Sequence, residues 1–217
     1  MNTKQRKDLP KYPIDHPTCI SAGNPKIGPI PNISFPPVVS CQPNVPCAKD
    51  GCYALKAWKQ YPGTVRAWTH NWDKLKHNRD AFFDDIHKHL TIKPRQRKFP
   101  VFLRWHVGGD IPDQDYLSRM KDLALEHRGI YMMAFTKNYS LNLGGLPQNL
   151  VVIPSAWPKF DMPEEISKQY RVAWVYDEKN VDKRIRTNYY TCNGSCTNCW
   201  ACWHINEIGK DVVFHKH

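Results

Sequence analysis

The run PVFLRWHVGGD, Pro100 to Asp110, is a strand pattern that ends on a glycine pair. Alternation puts Val101, Leu103, Trp105 and Val107 on one side and Phe102, Arg104, His106 and Gly108 on the other. The second side turns polar just where the chain bends at Gly109-Asp110. Parallel α/β architectures gather their active groups at that carboxyl end of the strand. Arg104, His106 and Asp110 are therefore catalytic candidates, and Gly108 and Gly109 let backbone approach a ligand closely. Each also has an ordinary reading: Arg104 pairing a carboxylate, His106 packing in a core, Asp110 capping the next helix.

Working outward, a helix is expected from about Pro112, burying Tyr116, Leu117, Met120, Leu123 and Ala124. Strands follow at Ile130–Thr136, Leu150–Ile153 and Arg171–Tyr176, and the tail DVVFH adds another. Lys137, directly after the strand Ile130–Thr136, joins the catalytic candidates; its ordinary reading is a solvent-facing lysine. Upstream, a helix starts near Tyr53 and stops before Pro62-Gly63. One further helix carries Trp68, Trp72, Leu75, Phe82, Phe83, Ile86 and Leu90 on a single face, with Pro94 beyond its end. That aromatic stripe reads as core packing, and His77, His87 and His89 as surface residues. The alternation of strand and helix predicts an α/β fold, either a parallel sheet or a partial (β/α) barrel. The short helices after Thr136 and Pro154 argue against a complete barrel. The 217 residues fit one domain: a Pro-rich extended arm (1–40), a first cysteine loop (41–54), an α/β core (55–186), and a second cysteine loop with the tail (187–217).

Seven of the eight cysteines fall in two groups. Cys192, Cys196, Cys199 and Cys202 follow the pattern C-x3-C-x2-C-x2-C in TCNGSCTNCWACW. No packing demand needs four thiols so close together, whereas four thiolates on one short loop can enclose a metal. Structural zinc sites usually separate two cysteine pairs by a longer loop, and closely stacked runs belong to iron–sulfur ligation. A [4Fe-4S] cluster is the expectation and zinc the alternative. Cys41, Cys47 and Cys52, spaced C-x5-C-x4-C among Pro43, Pro46 and Gly51, form a second metal-ligating set. Cys202 or the isolated Cys19 completes this set, or the fourth position stays open and leaves one iron for an exogenous ligand.

Composition narrows the class. The start MNTKQRKDLPKYP has no apolar signal segment, and no run approaches the ~18 apolar residues of a membrane span. Cytoplasmic expression with reduced thiols follows, which favours metal ligation over disulfides. The 31 basic and 20 acidic residues give a net charge of +11. Basic clusters stand at Lys4, Arg6, Lys7 and Lys11, at Lys93, Arg95, Arg97 and Lys98, and at Lys183, Arg184 and Arg186. Weak, sequence-indifferent attraction to nucleic acid is expected from such a balance.

The ordered segments GNPKIG (Gly23–Gly28), PCAKDGCYA (Pro46–Ala54), LRWHVGGDIPDQDYL (Leu103–Leu117), AFTKN (Ala134–Asn138), PQNLVVIPSAW (Pro147–Trp157) and the final cysteine run resemble the phage family called "gene product 88". That resemblance implies a phage origin, an iron–sulfur site and residence in the host cytoplasm. A wider, partial similarity is to radical SAM enzymes, in which a three-cysteine loop with a following aromatic comes after the first strand and a Gly-Gly-Glu-like turn after the second. Cys41, Cys47, Cys52 and Tyr53 would stand for the first feature and Gly108, Gly109 and Asp110 for the second. It implies S-adenosylmethionine as a small-molecule cofactor, with Tyr53, Gly108, Gly109 and Asp110 binding it. The sequence departs from the usual C-x3-C-x2-C spacing in that loop and has Asp in place of Glu.

Overall fold

Among the described residues seven strands, all parallel, form one open sheet in the order β1-β2-β3-β4-β5-β7-β6. They are β1 (Asn32–Ile33), β2 (Val101–Trp105), β3 (Ile130–Thr136), β4 (Leu150–Ala156), β5 (Ala173–Tyr176), β6 (Tyr189–Thr191) and β7 (Asp211–His215). The helices are α1 (Tyr53–Gln60), α2 (Pro62–His77), α3 (Arg79–Ile92), α4 (Gln114–Glu126), α5 (Glu164–Gln169) and α6 (Ile205–Ile208). This computed structural model describes residues 10–49, 51–92, 101–158, 160–179 and 181–215. Pro94, Pro100, Lys4, Arg6, Lys7, Lys93, Arg95, Arg97 and Lys98 lie outside the described residues.

The sheet is buried on both faces, and different parts of the chain cover them. Leu103, Trp105, Met132, Ala134 and Val152 point toward the helices, where Leu75, Phe82, Phe83, Ile86, Tyr116, Leu117 and Met120 meet them. Phe102, Met133, Val151 and Ile153 point the other way, onto Ile27 and Ile30 of the arm and Trp203 and Ile205 of the C-terminal segment. All five residues of β2 are buried, as expected of a strand inside a parallel sheet.

The structure corrects several expectations. The single helix from Trp68 to Leu90 is two helices, because Asn78 leaves helical geometry (φ −149°, ψ 89°) and its Oδ1 accepts from the Ala81 N–H at 2.9 Å. The break falls within the seven-residue step from Leu75 to Phe82, which preserves the stripe, so periodicity could not register it. Pro62 opens α2 instead of only closing what precedes it, since the first turn needs no proline N–H. The arm is not merely laid on the domain: it supplies β1, in register with Arg104 and Trp105. That strand and the three-residue β6 are too short to leave a sequence pattern. Strand β4 runs through Pro154 to Ala156, with Pro154 opposite Thr136. Asp113, not Asp110, caps α4, accepting from the Tyr116 N–H at 2.8 Å. Among the described residues no helix is long and apolar enough to cross a membrane.

One side chain joins the end of α4 to the start of β3 and β4. Asn149 Nδ2 donates toward the carbonyls of Ala124 (2.9 Å), His127 (3.1 Å) and Ile130 (2.9 Å). Replacement by Ala leaves buried carbonyls without partners, each worth roughly 1–3 kcal/mol. Asn149→Ala should therefore lower unfolding stability in urea by about 2 kcal/mol, and an unchanged urea midpoint would contradict this role.

Candidate metal centre

After β1 the chain turns at Pro36-Pro37, passes Val38 in a left-handed conformation (φ 73°), and enters the first cysteine loop. Cys41 is tied back by its N–H to the Val38 carbonyl (3.4 Å), Cys47 sits in a short 3-10 turn (Pro46–Ala48), and Cys52 caps α1. All three thiols line one cavity of about 110 Å³. Tyr53, Arg104, Gly108, Gly109, Asp110, Lys137 and Ser155 line it too, at the carboxyl ends of β2, β3 and β4. The Cys47 thiol donates to Cys52, which holds the Cys52 sulfur at about 6, helped by the Leu55 and Ala54 N–H groups at the start of α1. The same contact pushes Cys47 up, and burial pushes Cys41 up to about 11.

Arg104 is 5% exposed and pairs with no carboxylate among the described residues. Its guanidinium lies 4.3 Å from the Phe135 ring centre, donates to Met133 Sδ and faces the Tyr53 hydroxyl. Cys202 and Cys196 approach it from the other cysteine group, and Tyr53 lies beside Cys47 and Cys52. Arg104 thus stands between the two thiol sets, and burial lowers its pKa.

The remaining candidates divide. Asp110 accepts from the Ile111 N–H (2.7 Å) and the Lys137 N–H (2.8 Å), stitching the turn after β2 to the turn after β3. Burial raises its pKa. Lys137 Nζ donates to Ser155 Oγ at 3.1 Å. The two glycines have packing reasons of their own. A Cβ on Gly108 would meet Trp68 at 2.4 Å, and one on Gly109 (φ 83°) would meet Ser40 Oγ at 2.5 Å. Ser34, which sequence reasoning missed, orients this turn by accepting from the Val107 and Gly108 N–H groups at 3.1 and 3.3 Å. Ser155 was also missed; its signal was its place at a strand end, like that of Lys137.

His106 does not continue the strand alternation. Its φ of 55° turns the ring toward Phe35 (4.8 Å) and Tyr116 (5.4 Å), and Val107 packs on the opposite side of the sheet. Neither ring nitrogen has a hydrogen-bond partner, and burial, followed by the nearby Arg104 charge, lowers the pKa to about 3. The imidazole is therefore neutral at ordinary pH.

The second cysteine group follows β6. The Cys192 N–H continues the β6–β7 ladder to the Val213 carbonyl (2.8 Å), and the Cys196 N–H donates to Lys26 O (2.9 Å) in the arm. Tyr190 Oη and Cys199 Sγ are 3.0 Å apart, and Cys202 lies in the 3-10 turn Ala201–His204. Burial pushes the Cys202 thiol up to about 12, and the other three thiols of the group add to that shift. Cys19 lines neither site; it lies beside His16 and His70. Of the described basic cluster, Arg184 is paired with Asp182 (2.7 Å) and Arg186 with Asp211 (2.5 Å), so neither is a free surface cation.

An open parallel sheet covered by helices, with three thiols lining a cavity at its carboxyl edge, defines a protein of the α/β class. The family model "Gene product 88" matches residues 2–205, and the chain belongs to that family of phage gene products. No curated protein and no solved structure matches it.

The buried neutral His106 has a consequence in acid. An unfolded histidine titrates near 6.5, while folded His106 resists protonation down to about 3. Between those values the unfolded chain binds the extra proton, so stability falls as pH drops, by up to ~1.4 kcal/mol per unit. His106→Asn, which tolerates the left-handed backbone, should lose this component in urea unfolding from pH 7 to 4. Parallel profiles for the two proteins would refute it.

Proposed function

We propose that this is an iron–sulfur protein with radical-SAM-like activity. Cys41, Cys47 and Cys52 would hold a [4Fe-4S] cluster with one iron open, and Cys192, Cys196, Cys199 and Cys202 a second cluster. The observation that carries the reading is Arg104. Burying an unpaired guanidinium costs several kcal/mol, and the thiolate-ligated, anionic groups on either side would supply its counter-charge. The order of parts supports it as well: the cysteine loop follows β1, and the Gly108-Gly109-Asp110 turn follows β2 at the same edge.

Held by Cys41, Cys47 and Cys52 in that cavity, such a cluster would supply the electron for reductive cleavage of S-adenosylmethionine. The chain's own groups would bind and orient the cofactor. Asp110 accepts from two backbone N–H groups and from the Thr136 side chain, and its remaining lone pair would accept from a cofactor amine. Lys137 Nζ, beside Ser155, offers a cation for a carboxylate. Tyr53 is 55% exposed and lines the cavity, with Lys26 Nζ 5.7 Å from its ring centre, and its ring would stack on a flat base. His106, neutral and enclosed by Phe35 and Tyr116, would support the turn and not exchange protons.

The bond from Cys196 N–H to the arm at Lys26 favours a second, non-catalytic reading. In it the C-terminal group is a clasp, holding an iron–sulfur cluster or zinc, in a phage accessory protein. Loose contact with nucleic acid through the +11 balance would accompany either reading.

Anaerobically reconstituted protein should contain iron and sulfide in equal amounts. Once reduced it should convert S-adenosylmethionine to 5′-deoxyadenosine, and Cys47→Ala should abolish this. Zinc alone in the protein, or every iron fully ligated by protein with no cleavage, would favour the clasp. A second measurement addresses Arg104. Removing a cation next to a cluster disfavours its more negative, reduced form, so Arg104→Met should lower the reduction potential. A potential that stays put would place the cluster away from Arg104.

A further inference from the structure

Cys19 has its own company. One ring nitrogen of His16, one of His70 and the Cys19 Sγ all lie within 4.8 Å of one another. The arm brings two of these groups and α2 the third, and the histidines are 54 residues apart. Each imidazole already commits one nitrogen to a carbonyl: His16 Nδ1 lies 2.9 Å from Pro17 O, and His70 Nε2 lies 2.9 Å from His16 O. A carbonyl can only accept, so these nitrogens carry the protons, and His16 Nε2 and His70 Nδ1 keep their lone pairs. A histidine oriented in this way by a second hydrogen bond is the arrangement that metal ligation uses.

The backbone around the group is already set. Asn71, next to His70, accepts from the Cys19 N–H (2.7 Å) and donates to the Cys19 carbonyl (2.9 Å). Lys74 Nζ donates to His16 O (2.8 Å) and pairs with Asp85 (2.5 Å), which also accepts from the Thr18 N–H (2.9 Å). Tyr12 stacks on His16 with centres 4.1 Å apart and is itself covered by Arg66 at 4.2 Å. The other close trio, His87, Glu126 and His127, differs. There His87 Nδ1 is engaged by both Glu126 (2.9 Å) and His127 (3.2 Å), on side chains 47% and 57% exposed for the first pair. That trio satisfies itself.

We infer that His16, Cys19 and His70 form a metal site separate from both cysteine groups. Two imidazole nitrogens and one thiolate suit a borderline d-block ion such as Zn²⁺ and not Mg²⁺ or Ca²⁺. A solvent ligand takes the fourth position, and binding releases the Cys19 thiol proton to water. The ion staples the arm to α2, so that residues 12–19 and the helix share one cross-link.

The test uses the full chain and three proteins: wild type, Cys19→Ser and His16→Gln. Zn²⁺ is counted by competition with a chromophoric chelator, and Co²⁺ serves as the probe of thiolate ligation. The other seven cysteines are present in all three proteins, so the difference isolates this site. Both variants should bind one equivalent fewer than wild type, or bind it at least tenfold more weakly. Zn²⁺ should raise the melting temperature of wild type by more than that of either variant. Equal stoichiometry and affinity in all three proteins would overturn the inference, as would a loss confined to Cys19→Ser. His16 is chosen over the buried His70 so that one variant keeps its fold, and His16→Gln decides the matter alone if Cys19→Ser does not fold.

Discussion

A parallel sheet must be covered on both faces, and here the long helices α2, α3 and α4 all pack on one of them. Leu103, Trp105 and Met132 pack against α2, α3 and α4, while Phe102, Met133, Val151 and Ile153 depend on segments with little regular structure. Ile27 and Ile30 come from the arm, and Trp203 and Ile205 from the residues around the second cysteine group. Burial of those four strand residues against them is worth about 1.5–3 kcal/mol per large side chain. Irregular segments bring few backbone hydrogen bonds to that task. Covalent or coordinate cross-links are the physical means by which such segments hold position, and the cysteines lie where those cross-links would act.

The same constraint accounts for the position of Arg104. It belongs to the face that the arm and the C-terminal segment close over, so its charge is sealed in with Met133 and Phe135 and with thiols on both sides. Its neighbour two residues on, His106, leaves that face because the backbone turns left-handed there. The Gly108-Gly109 turn then fits under Trp68 and against Phe35 and Ser40, where any larger residue would collide. Packing by itself therefore demands glycine at both positions.

Beside the backbone pairing of β1, the arm is held at residues 16–19 by side chains of the helices. Asn71, Lys74 and Asp85, from two adjacent helices, accept from or donate to the main chain of residues 16–19. Lys74 and Asn71 are buried to do so. These bonds cross from the arm to the helical face, whereas the bond from Cys196 to Lys26 crosses to the other. One segment is thus fastened to both layers of the protein.

Local chemistry made much of this legible from sequence. The strand at Val101–Trp105, the buried side of α4 and the strand at Ile130–Thr136 each follow from hydrophobic periodicity, which is a property of neighbouring residues. So does the parallel α/β class, and the two cysteine sets follow from spacing. What neighbours do not encode was decided by tertiary structure. The strands β1 and β6 exist because longer strands offer them an edge, and Asn78 breaks a helix whose stripe runs on unchanged. His106 leaves its expected face through one dihedral angle. Cys19 meets His70 only because the arm folds back across α2, a juxtaposition of residues far apart in the chain that no pattern of local spacing contains.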